Sequence, residues 1–292
     1  MDERQTISVL GLGLMGASLA LALRSRGFAG RLVGYARREE TRRRAMEEGV
    51  VDEAFADPSE AARVADVAVI CVPIWAIADL AKRVAPALKA GAVATDVGST
   101  KSVLLEAVAP AFAESAGAFV GSHPIAGSER TGLEAGDPEL YAGRLTVVCA
   151  PDGAPAAAKE AVARLWRAAG AEVREMSPEA HDALLASTSH LPHMVAAALA
   201  RAVADDRPER KADFCGTGFK DATRVASGSA DMWVDIVDTN RAALERELDR
   251  FHEELRGLIG ILRSGNGADI RRWLEEAAAD RDRMLELNRF LK

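Results

Sequence analysis

Residues able to move a proton occur at the ends of two short apolar runs. His123 lies in the segment 121–127, and Pro124 after it restricts the histidine to extended backbone, which makes the loop stiff. An imidazole titrates near neutral pH, so His123 is a candidate general base, with a structural role as the alternative. Ser99, in the segment 95–101, either caps the helix that follows or presents its hydroxyl to a substrate.

Two further histidines lie three residues apart in the C-terminal half, in the sequence SHLPH. At this spacing His190 and His193 project from one face of a helix, which Pro192 disrupts locally by removing a backbone donor. A metal site completed by His181 or Asp182 is disfavoured, because no cysteine or further histidine lies at ligand spacing, and we predict no metal. A structural role is expected for one of the two.

Arg224 ends a polar segment, 218–224, that carries charges of both signs. A guanidinium donates two parallel hydrogen bonds to a carboxylate, so Arg224 is a candidate anchor for an acidic substrate. A surface salt bridge is the alternative.

A glycine motif near the N-terminus predicts a dinucleotide site. Gly11, Gly13 and Gly16 follow the apolar run 7–10 and precede the helical pattern 17–24. The first glycine permits the turn, the second lets backbone approach a pyrophosphate, and the third lets helix and strand pack closely. The helix N-terminus favours negative charge. The predicted cofactor-contacting set consists of Gly11, Gly13, Leu14, Met15, Gly16, Arg37, Arg38 and Pro73.

The position that selects between NAD and NADP holds a small residue. An acid about 20 residues after the motif would bind the ribose 2′-hydroxyl of NAD, but Ala36 stands there. Without that carboxylate, Arg37 or Arg38 could hold the 2′-phosphate of NADP, which makes NADP the favoured cofactor and NAD the alternative. A solvated basic helix start is the other interpretation, since arginines also occupy positions 42–44.

The elements that must position these residues fall into two halves. Apolar, β-branched runs at 7–10, 31–35, 67–72, 92–96, 119–121 and 145–150 alternate with alanine-rich helical stretches, which is typical of a mainly parallel sheet covered on both faces. From residue 178 apolar residues recur at helical spacing, and Ser177 followed by Pro178 is typical of a helix start. We predict a Rossmann-type α/β dinucleotide-binding domain at 1–177 and an all-α domain at 178–292, whose apolar faces form either a dimer interface or an internal core.

The composition disfavours several classes of protein. Hydrophobic residues make up 49% and charged residues 28% of the 292 residues, as in ordinary soluble globular proteins. A formal net charge of −7 disfavours nucleic acid as a partner. The three cysteines show neither disulfide nor CxxC spacing, which suits a reducing cytoplasm. We expect neither a signal peptide nor a membrane span, because no segment approaches the roughly 20 apolar residues that cross a bilayer.

Together these motifs resemble those of the prephenate and arogenate dehydrogenases of tyrosine biosynthesis. The matching blocks, in chain order, are GLGLMGAS (11–18), DVGS (96–99), GSHPIAGSE (121–129), SHLPH (189–193), FKDATR (219–224) and MW (232–233). The glycine motif is shared with many dehydrogenases, whereas the HPIAG and SHLPH segments together are specific. The resemblance implies a Rossmann-type domain followed by a helical dimerisation domain, and hence a homodimer.

The resemblance implies an NAD(P)-dependent oxidative decarboxylation of prephenate or arogenate. His123 would take the proton of the ring hydroxyl while the carbon that bears it delivers hydride to the nicotinamide, and Ser99 would hydrogen-bond near that hydroxyl. The new carbonyl is an electron sink, so the ring carboxylate leaves as CO2 and the ring becomes aromatic. Many family members carry an acid at the position of Ala36, so the cofactor is not simply inherited from the family.

The resemblance further implies six substrate-contacting residues, which are Glu129, His190, His193, Asp221, Arg224 and Trp233. Arg224 would hold the ring carboxylate together with a histidine of the SHLPH segment, for which His190 is favoured. Glu129 and Asp221 would take part in gating the site. Trp233 would close the pocket, in its own subunit or in the partner.

Two other functions remain open at this point. A 3-hydroxyacid dehydrogenase of the 6-phosphogluconate-dehydrogenase-like class also joins a glycine motif to helices, but Lys220 would have to be its catalytic lysine. A non-catalytic NADP-binding sensor is disfavoured by the presence of His123, Ser99 and Arg224.

No residue distinguishes prephenate from arogenate, although NADP use would favour arogenate. We expect no mutase segment or regulatory domain, so any inhibition by tyrosine would act at the active site.

Overall fold

Six parallel strands form the first sheet of the computed structural model, which describes residues 4–205 and 207–290. They are β1 (Thr6–Leu10), β2 (Arg31–Tyr35), β3 (Glu53–Phe55), β4 (Val67–Ile70), β5 (Val93–Asp96) and β6 (Ala118–Phe119). Their order across the sheet is β3-β2-β1-β4-β5-β6. The sequence did not predict β3, because three residues are too few to show a period.

Helices cover both faces of this sheet, as its apolar strands require. They are α1 (Leu14–Ser25), α2 (Glu39–Glu47), α3 (Pro58–Arg63), α4 (Ile74–Val84), α5 (Ser102–Phe112) and α6 (Ala156–Ala168). Successive strand residues point to opposite faces. Ile7 and Val9 accordingly join a hydrophobic cluster with α1 and α6, while Leu10 joins a second cluster with α3, α4 and α5.

A second, three-stranded sheet follows, formed by β7 (Gly121–Pro124), β8 (Leu145–Cys149) and β9 (Glu172–Glu175). β7 runs antiparallel to β8, and β9 runs parallel to it. The single strand predicted at 119–121 is therefore divided between two sheets. His123 lies within β7, opposite Val147, and not in a loop after a strand as expected. Pro124 is tolerated because β7 is an edge strand of its sheet.

The remainder of the chain is helical. Its helices are α7 (Pro178–Leu185), α8 (Leu191–Ala204), α9 (Thr217–Thr223), α10 (Ala230–Thr239), α11 (Arg241–Ser264) and α12 (Gly267–Leu287). The helix start at Ser177 is confirmed, because the serine hydroxyl accepts a hydrogen bond from the Ala180 amide and Pro178 occupies the first turn. A π-helical turn, Ala186–His190, joins α7 to α8 just before Pro192, which confirms the predicted local disruption.

The helical run Pro178–Ala204 is long and apolar enough to cross a membrane by length and composition alone, with a mean hydropathy of 1.2. The expectation that no segment reaches this threshold was wrong. The run nevertheless carries His181, Asp182 and His190, which are buried and hydrogen-bonded to other parts of the protein. These side chains make their polar contacts inside the folded protein, although only 22% of the apolar window is buried.

Candidate active site

The glycine motif forms a cradle at the carboxyl end of β1. Gly11 has a φ of 119°, and a Cβ atom built on it would lie 2.3 Å from the carbonyl oxygen of Cys71. A Cβ on Gly16 would lie 2.0 Å from the carbonyl oxygen of Gly11, so only glycine lets α1 approach the turn. By contrast, no atom lies within 4 Å of a Cβ placed on Gly13. The geometry leaves room for a pyrophosphate where the motif predicts one.

A cavity of about 1090 Å³ extends from this cradle. Of the predicted cofactor-contacting residues, five line it: Gly11, Gly13, Arg37, Arg38 and Pro73. The other three, Leu14, Met15 and Gly16, are not among the lining residues. The Met15 backbone carbonyl instead accepts a hydrogen bond from the Tyr141 hydroxyl at 2.7 Å, which ties α1 to the rest of the domain.

The arginines beyond β2 have different environments. Arg42 donates hydrogen bonds to the carbonyl oxygens of Ala36, at 2.8 Å, and Arg37, at 3.0 Å, and so fixes the turn after the strand. Arg44 forms ion pairs with Glu48 and, at 3.6 Å across the cavity, with Glu134. The side chains of Arg37 and Arg38 are exposed at the cavity wall. Two cations at the end of β2 fit the negative charge of a dinucleotide.

The predicted base belongs to a hydrogen-bonded relay of three side chains, His123, His181 and Asp182. Nδ1 of His123 lies 2.9 Å from Nε2 of His181, and Nδ1 of His181 lies 2.8 Å from Oδ1 of Asp182. His181 is fully buried and Asp182 nearly so, and both belong to α7. The helical half thus supplies the residues that orient the histidine of β7.

The hydrogen bonds of this chain determine the tautomer of each ring. An ionised carboxylate only accepts, so Asp182 takes the hydrogen bond from Nδ1–H of His181. In the tautomer that donates from Nδ1, His181 has a lone pair at Nε2, which accepts from Nδ1–H of His123. Nε2 of His123 is left with a free lone pair, as a general base requires.

Asp182 also caps the helix that follows the Ser99 segment. Its Oδ1 and Oδ2 atoms accept hydrogen bonds from the amides of Lys101 and Ser102, each at 2.8 Å. The suggested capping role of Ser99 is therefore wrong, since the N-terminus of α5 has no side-chain cap of its own and is satisfied by α7. Ser99 is half-buried in the turn between β5 and α5, where its hydroxyl remains a candidate substrate contact.

Burial and charge set the protonation of these groups. Burial lowers the pKa of His123 well below its usual range, and the neighbouring His181, Lys101 and His190 lower it further. Burial opposes ionisation of Asp182, but hydrogen bonds from His181 and from Ser102 and Lys101 outweigh it and lower the pKa of the carboxyl group. Base and carboxylate are therefore both in their proton-accepting forms at neutral pH.

His190 and His193 are held differently. The amide nitrogen of Asn240 donates to the Asp182 carbonyl oxygen at 2.8 Å and contacts Nδ1 of His190 at 3.2 Å, so this ring nitrogen accepts. Burial lowers the pKa of His190 to about 4. His193 stacks on Trp233 with ring centroids 3.5 Å apart, and burial lowers its pKa also. The neutral His190 is tied into the fold, whereas His193 packs on the predicted pocket tryptophan.

Three predicted substrate contacts lie outside this buried cluster. Arg224, Asp221 and Glu129 have exposed side chains. The turn that begins at Arg224 packs against α8, on which His193 lies. The structure thus brings together His123 with the relay of α7, and His193 with Trp233, and leaves the charged residues at the surface.

Sequence reasoning missed the relay. His181 and Asp182 were considered only as metal ligands, and the described residues contain no group of three or more histidine, cysteine or acidic side chains that could hold a metal ion. An adjacent histidine and aspartate in the first turns of a helix was the available signal. This adjacency does not identify His123 as the residue that His181 contacts, because the two histidines are 58 residues apart in the sequence.

Two family models match most of the chain. They are described as prephenate dehydrogenase, nucleotide-binding domain, over residues 19–175, and prephenate dehydrogenase, dimerization domain, over residues 177–276. The cyclohexadienyl dehydrogenase of Zymomonas mobilis is 34% identical over 265 residues, which are 89% of each chain.

Solved structures agree with these matches. The prephenate dehydrogenase of A. aeolicus, in complex with hydroxyphenyl propionate and NAD+, superposes with a TM-score of 0.88 and 31% identity, covering 96% of this chain and 98% of that one. The Synechocystis arogenate dehydrogenase gives a TM-score of 0.84 and 30% identity, covering 96% and 99%. The predicted fold, a Rossmann-type domain followed by a helical dimerisation domain, is confirmed. The chain belongs to the prephenate dehydrogenase family.

Proposed function

We propose that the protein catalyses the NAD(P)-dependent oxidative decarboxylation of prephenate or arogenate, giving 4-hydroxyphenylpyruvate or tyrosine. The observation that carries this proposal is the relay from Asp182 through His181 to His123, which leaves one lone pair on the histidine predicted to be the base. The similarity to prephenate, arogenate and cyclohexadienyl dehydrogenases supports the substrate class.

Nε2 of His123 removes the proton of the ring hydroxyl in this proposal. The relay holds the imidazole of His123 in the required tautomer. The positive charge that develops on this imidazole is stabilised, through His181, by the carboxylate of Asp182. Ser99 donates or accepts a hydrogen bond at the same hydroxyl. A bound nicotinamide would supply the hydride acceptor for the carbon that bears this hydroxyl.

Loss of CO2 follows from the new carbonyl. The electron pair of the breaking carbon–carbon bond enters the ring and leaves a phenolate at the original hydroxyl oxygen. His123 can return the proton to that oxygen, so the base is regenerated within one turnover. Aromatisation makes the step effectively irreversible, and no metal ion is required.

Arg224 and His193 are the proposed anchors of the ring carboxylate. His193 is favoured over His190 because His190 is only 1% exposed and its Nδ1 faces Asn240, whereas His193 stacks on Trp233. Trp233 would form one wall of the pocket, and the exposed Glu129 and Asp221 would take part in gating. An Arg224→Ala enzyme is expected to show chiefly a raised KM, because an anchor binds ground state and transition state alike.

NADP is the proposed cofactor. No carboxylate is present at Ala36, and Arg37 and Arg38 line the cavity at the end of β2. Ala36→Asp should lower the kcat/KM ratio of NADP to NAD by about tenfold or more, because it places a carboxylate against the 2′-phosphate. Arg43→Ala is the matched control, since Arg43 is on α2 but pairs with Glu40 and Glu47 at the surface. A wild-type preference for NAD would refute the NADP assignment.

A homodimer is proposed through the helical half. Large apolar side chains are exposed on its helices, and they include Leu199, Leu255, Ile259, Leu262 and Leu274. Such a surface on a soluble enzyme is typically covered by a second subunit. Multi-angle light scattering should give twice the chain mass of 31.0 kDa. An enzyme whose apolar surface is covered by a second subunit in this way would fit a cytosolic location.

The activity is tested by the absorbance of the reduced cofactor. Enzyme mixed with NADP or NAD should give rising absorbance with prephenate or with arogenate, and comparison of the two identifies the substrate. A 3-hydroxyacid dehydrogenase would instead oxidise small hydroxyacids, but Lys220, the candidate lysine that lies in a motif, is exposed on α9. No turnover of either cyclohexadiene with either cofactor would refute the proposed function.

A further inference from the structure

The interior of the nucleotide-binding half contains an ion pair that the proposed chemistry does not use. The ammonium group of Lys101 pairs with Asp96, and both side chains are fully buried. Lys101 is among the largest side chains excluded from solvent in the described residues. Burying two charges costs free energy that their attraction seldom exceeds, so such a pair is poorly explained by stability alone.

Asp96 connects this pair to both predicted catalytic segments. Its Oδ1 atom accepts a hydrogen bond from the amide of Ser122, at 3.0 Å, one residue before His123. Its Oδ2 atom accepts from the amide of Gly98, at 2.7 Å, one residue before Ser99. A shift of this carboxylate would therefore move the backbone next to both predicted groups.

Lys101 touches the same strand and also the relay. A Cβ atom built on Gly121 would lie 3.1 Å from Cδ of Lys101, so the lysine stem packs against the start of β7. The Lys101 amide donates to Oδ1 of Asp182, the oxygen that also accepts from His181. One residue thus contacts the strand that carries the base and the carboxylate that orients it.

We propose that Lys101 is a positioning residue for His123, whose buried ammonium group holds β7 in place through Asp96. This inference rests on the proposed role of His123 as the base. Lys101 itself is fully buried and is not expected to touch substrate.

The charges around His123 give the same lysine an electrostatic effect on the base as well. Burial is the largest cause of the lowered pKa of His123, followed by His181, Lys101 and His190. The two nearby carboxylates are engaged elsewhere, since Asp96 binds Lys101 and two amides and Asp182 binds His181 and two amides. Lys101 is thus one of three groups, besides burial, that oppose a positive charge on His123.

The test is the titration of His123 in wild type, Lys101→Arg, Lys101→Met and the charge-balanced Lys101→Met/Asp96→Asn. It is followed by NMR of ¹⁵N-labelled histidine and by the acid limb of kcat/KM. Both readouts should move upward by about one pH unit or more in Lys101→Met. The charge-balanced double variant should move in the same direction but by less, because Asp96→Asn also removes a carboxylate that favours the protonated ring. Lys101→Arg should stay near wild type. The double variant serves if the single one does not fold, because it leaves no unpaired buried carboxylate.

Lys89→Met is the matched control. Lys89 pairs with Asp66 at 2.6 Å, and Asp66 likewise accepts a hydrogen bond from a strand amide, that of Thr6 at 2.7 Å. This pair lies at the opposite end of the sheet, so the titration should be unchanged. A fall in kcat at every pH with an unmoved His123 titration would overturn the proposal. The NMR readout does not depend on turnover, so failure of the proposed function would be seen separately.

Discussion

Nδ1 of His123 lies 2.9 Å from Nε2 of His181, across the boundary between the nucleotide-binding and helical halves of the chain. This contact, extended by the bond from His181 to Asp182, gives a strand histidine a defined tautomer. The helical half therefore contributes to the base itself as well as to the proposed substrate pocket.

The acid limb of kcat/KM is expected below about pH 6.5, the usual pKa of an imidazole. Burial, followed by the effects of His181, Lys101 and His190, lowers the pKa of His123. The neutral, active form therefore persists to lower pH, and activity is lost only as pH falls through this lowered pKa. Initial rates measured between about pH 5 and pH 8 test this, with circular dichroism at each pH to confirm folding. A limb at or above pH 6.5 would contradict it.

Asp182→Asn should lower kcat on the order of 10²-fold, because an amide NH2 directed at His181 favours the wrong tautomer of both imidazoles. It should also lower the free energy of unfolding by about 1 kcal/mol, through loss of one cap contact at α5. Steady-state kinetics and urea unfolding measure the two effects.

Asp57→Ala is the control for the loss of a cap contact, because alanine removes a helix cap that asparagine would retain. Asp57 caps α3 by accepting from the Ser59 amide at 3.1 Å and has no contact with the relay. It should lose similar stability and keep its kcat. Equal loss of kcat in both variants would show that Asp182 acts only as a cap.

Much of the nucleotide-binding half is predictable from the sequence because its signals are local. The glycines at 11, 13 and 16 lie between a strand and a helix that pattern alone predicts. The start of α7 is equally local, since Ser177 and Pro178 act within one turn. Each of these features depends on neighbours within a few residues.

The relay and the buried ion pair are not local. His181 contacts His123, which is 58 residues away in the sequence. Asp182 caps α5, which begins about 80 residues earlier in the chain. The antiparallel strand β7 was missed for a related reason, since strand pairing is decided by β8 and not by the four residues of β7. Lysine is a residue type usually found at the surface, and nothing in the sequence near Lys101 shows that it is buried in an ion pair with Asp96.

Gly228→Ala should raise the substrate KM roughly tenfold. A Cβ atom there would lie 2.7 Å from Nε1 of Trp233 and 3.1 Å from Cε1 of His193, so the stacked rings would have to move. Gly218→Ala is the control, because no atom lies within 4 Å of a Cβ at that position of α9. Equal KM values in the two variants would show that the His193–Trp233 stack does not contribute to the substrate pocket.

The kcat of His123→Asn, at saturating substrate and cofactor, tests the proposed base most directly. Asparagine keeps a polar side chain of similar size but cannot take up a proton, so kcat should fall by about 10²- to 10⁴-fold. The Kd for the dinucleotide, measured by calorimetry, should stay unchanged, because His123 is not among the residues that line the cofactor cavity. A variant that retains near-normal kcat would contradict the assignment of His123 as the general base.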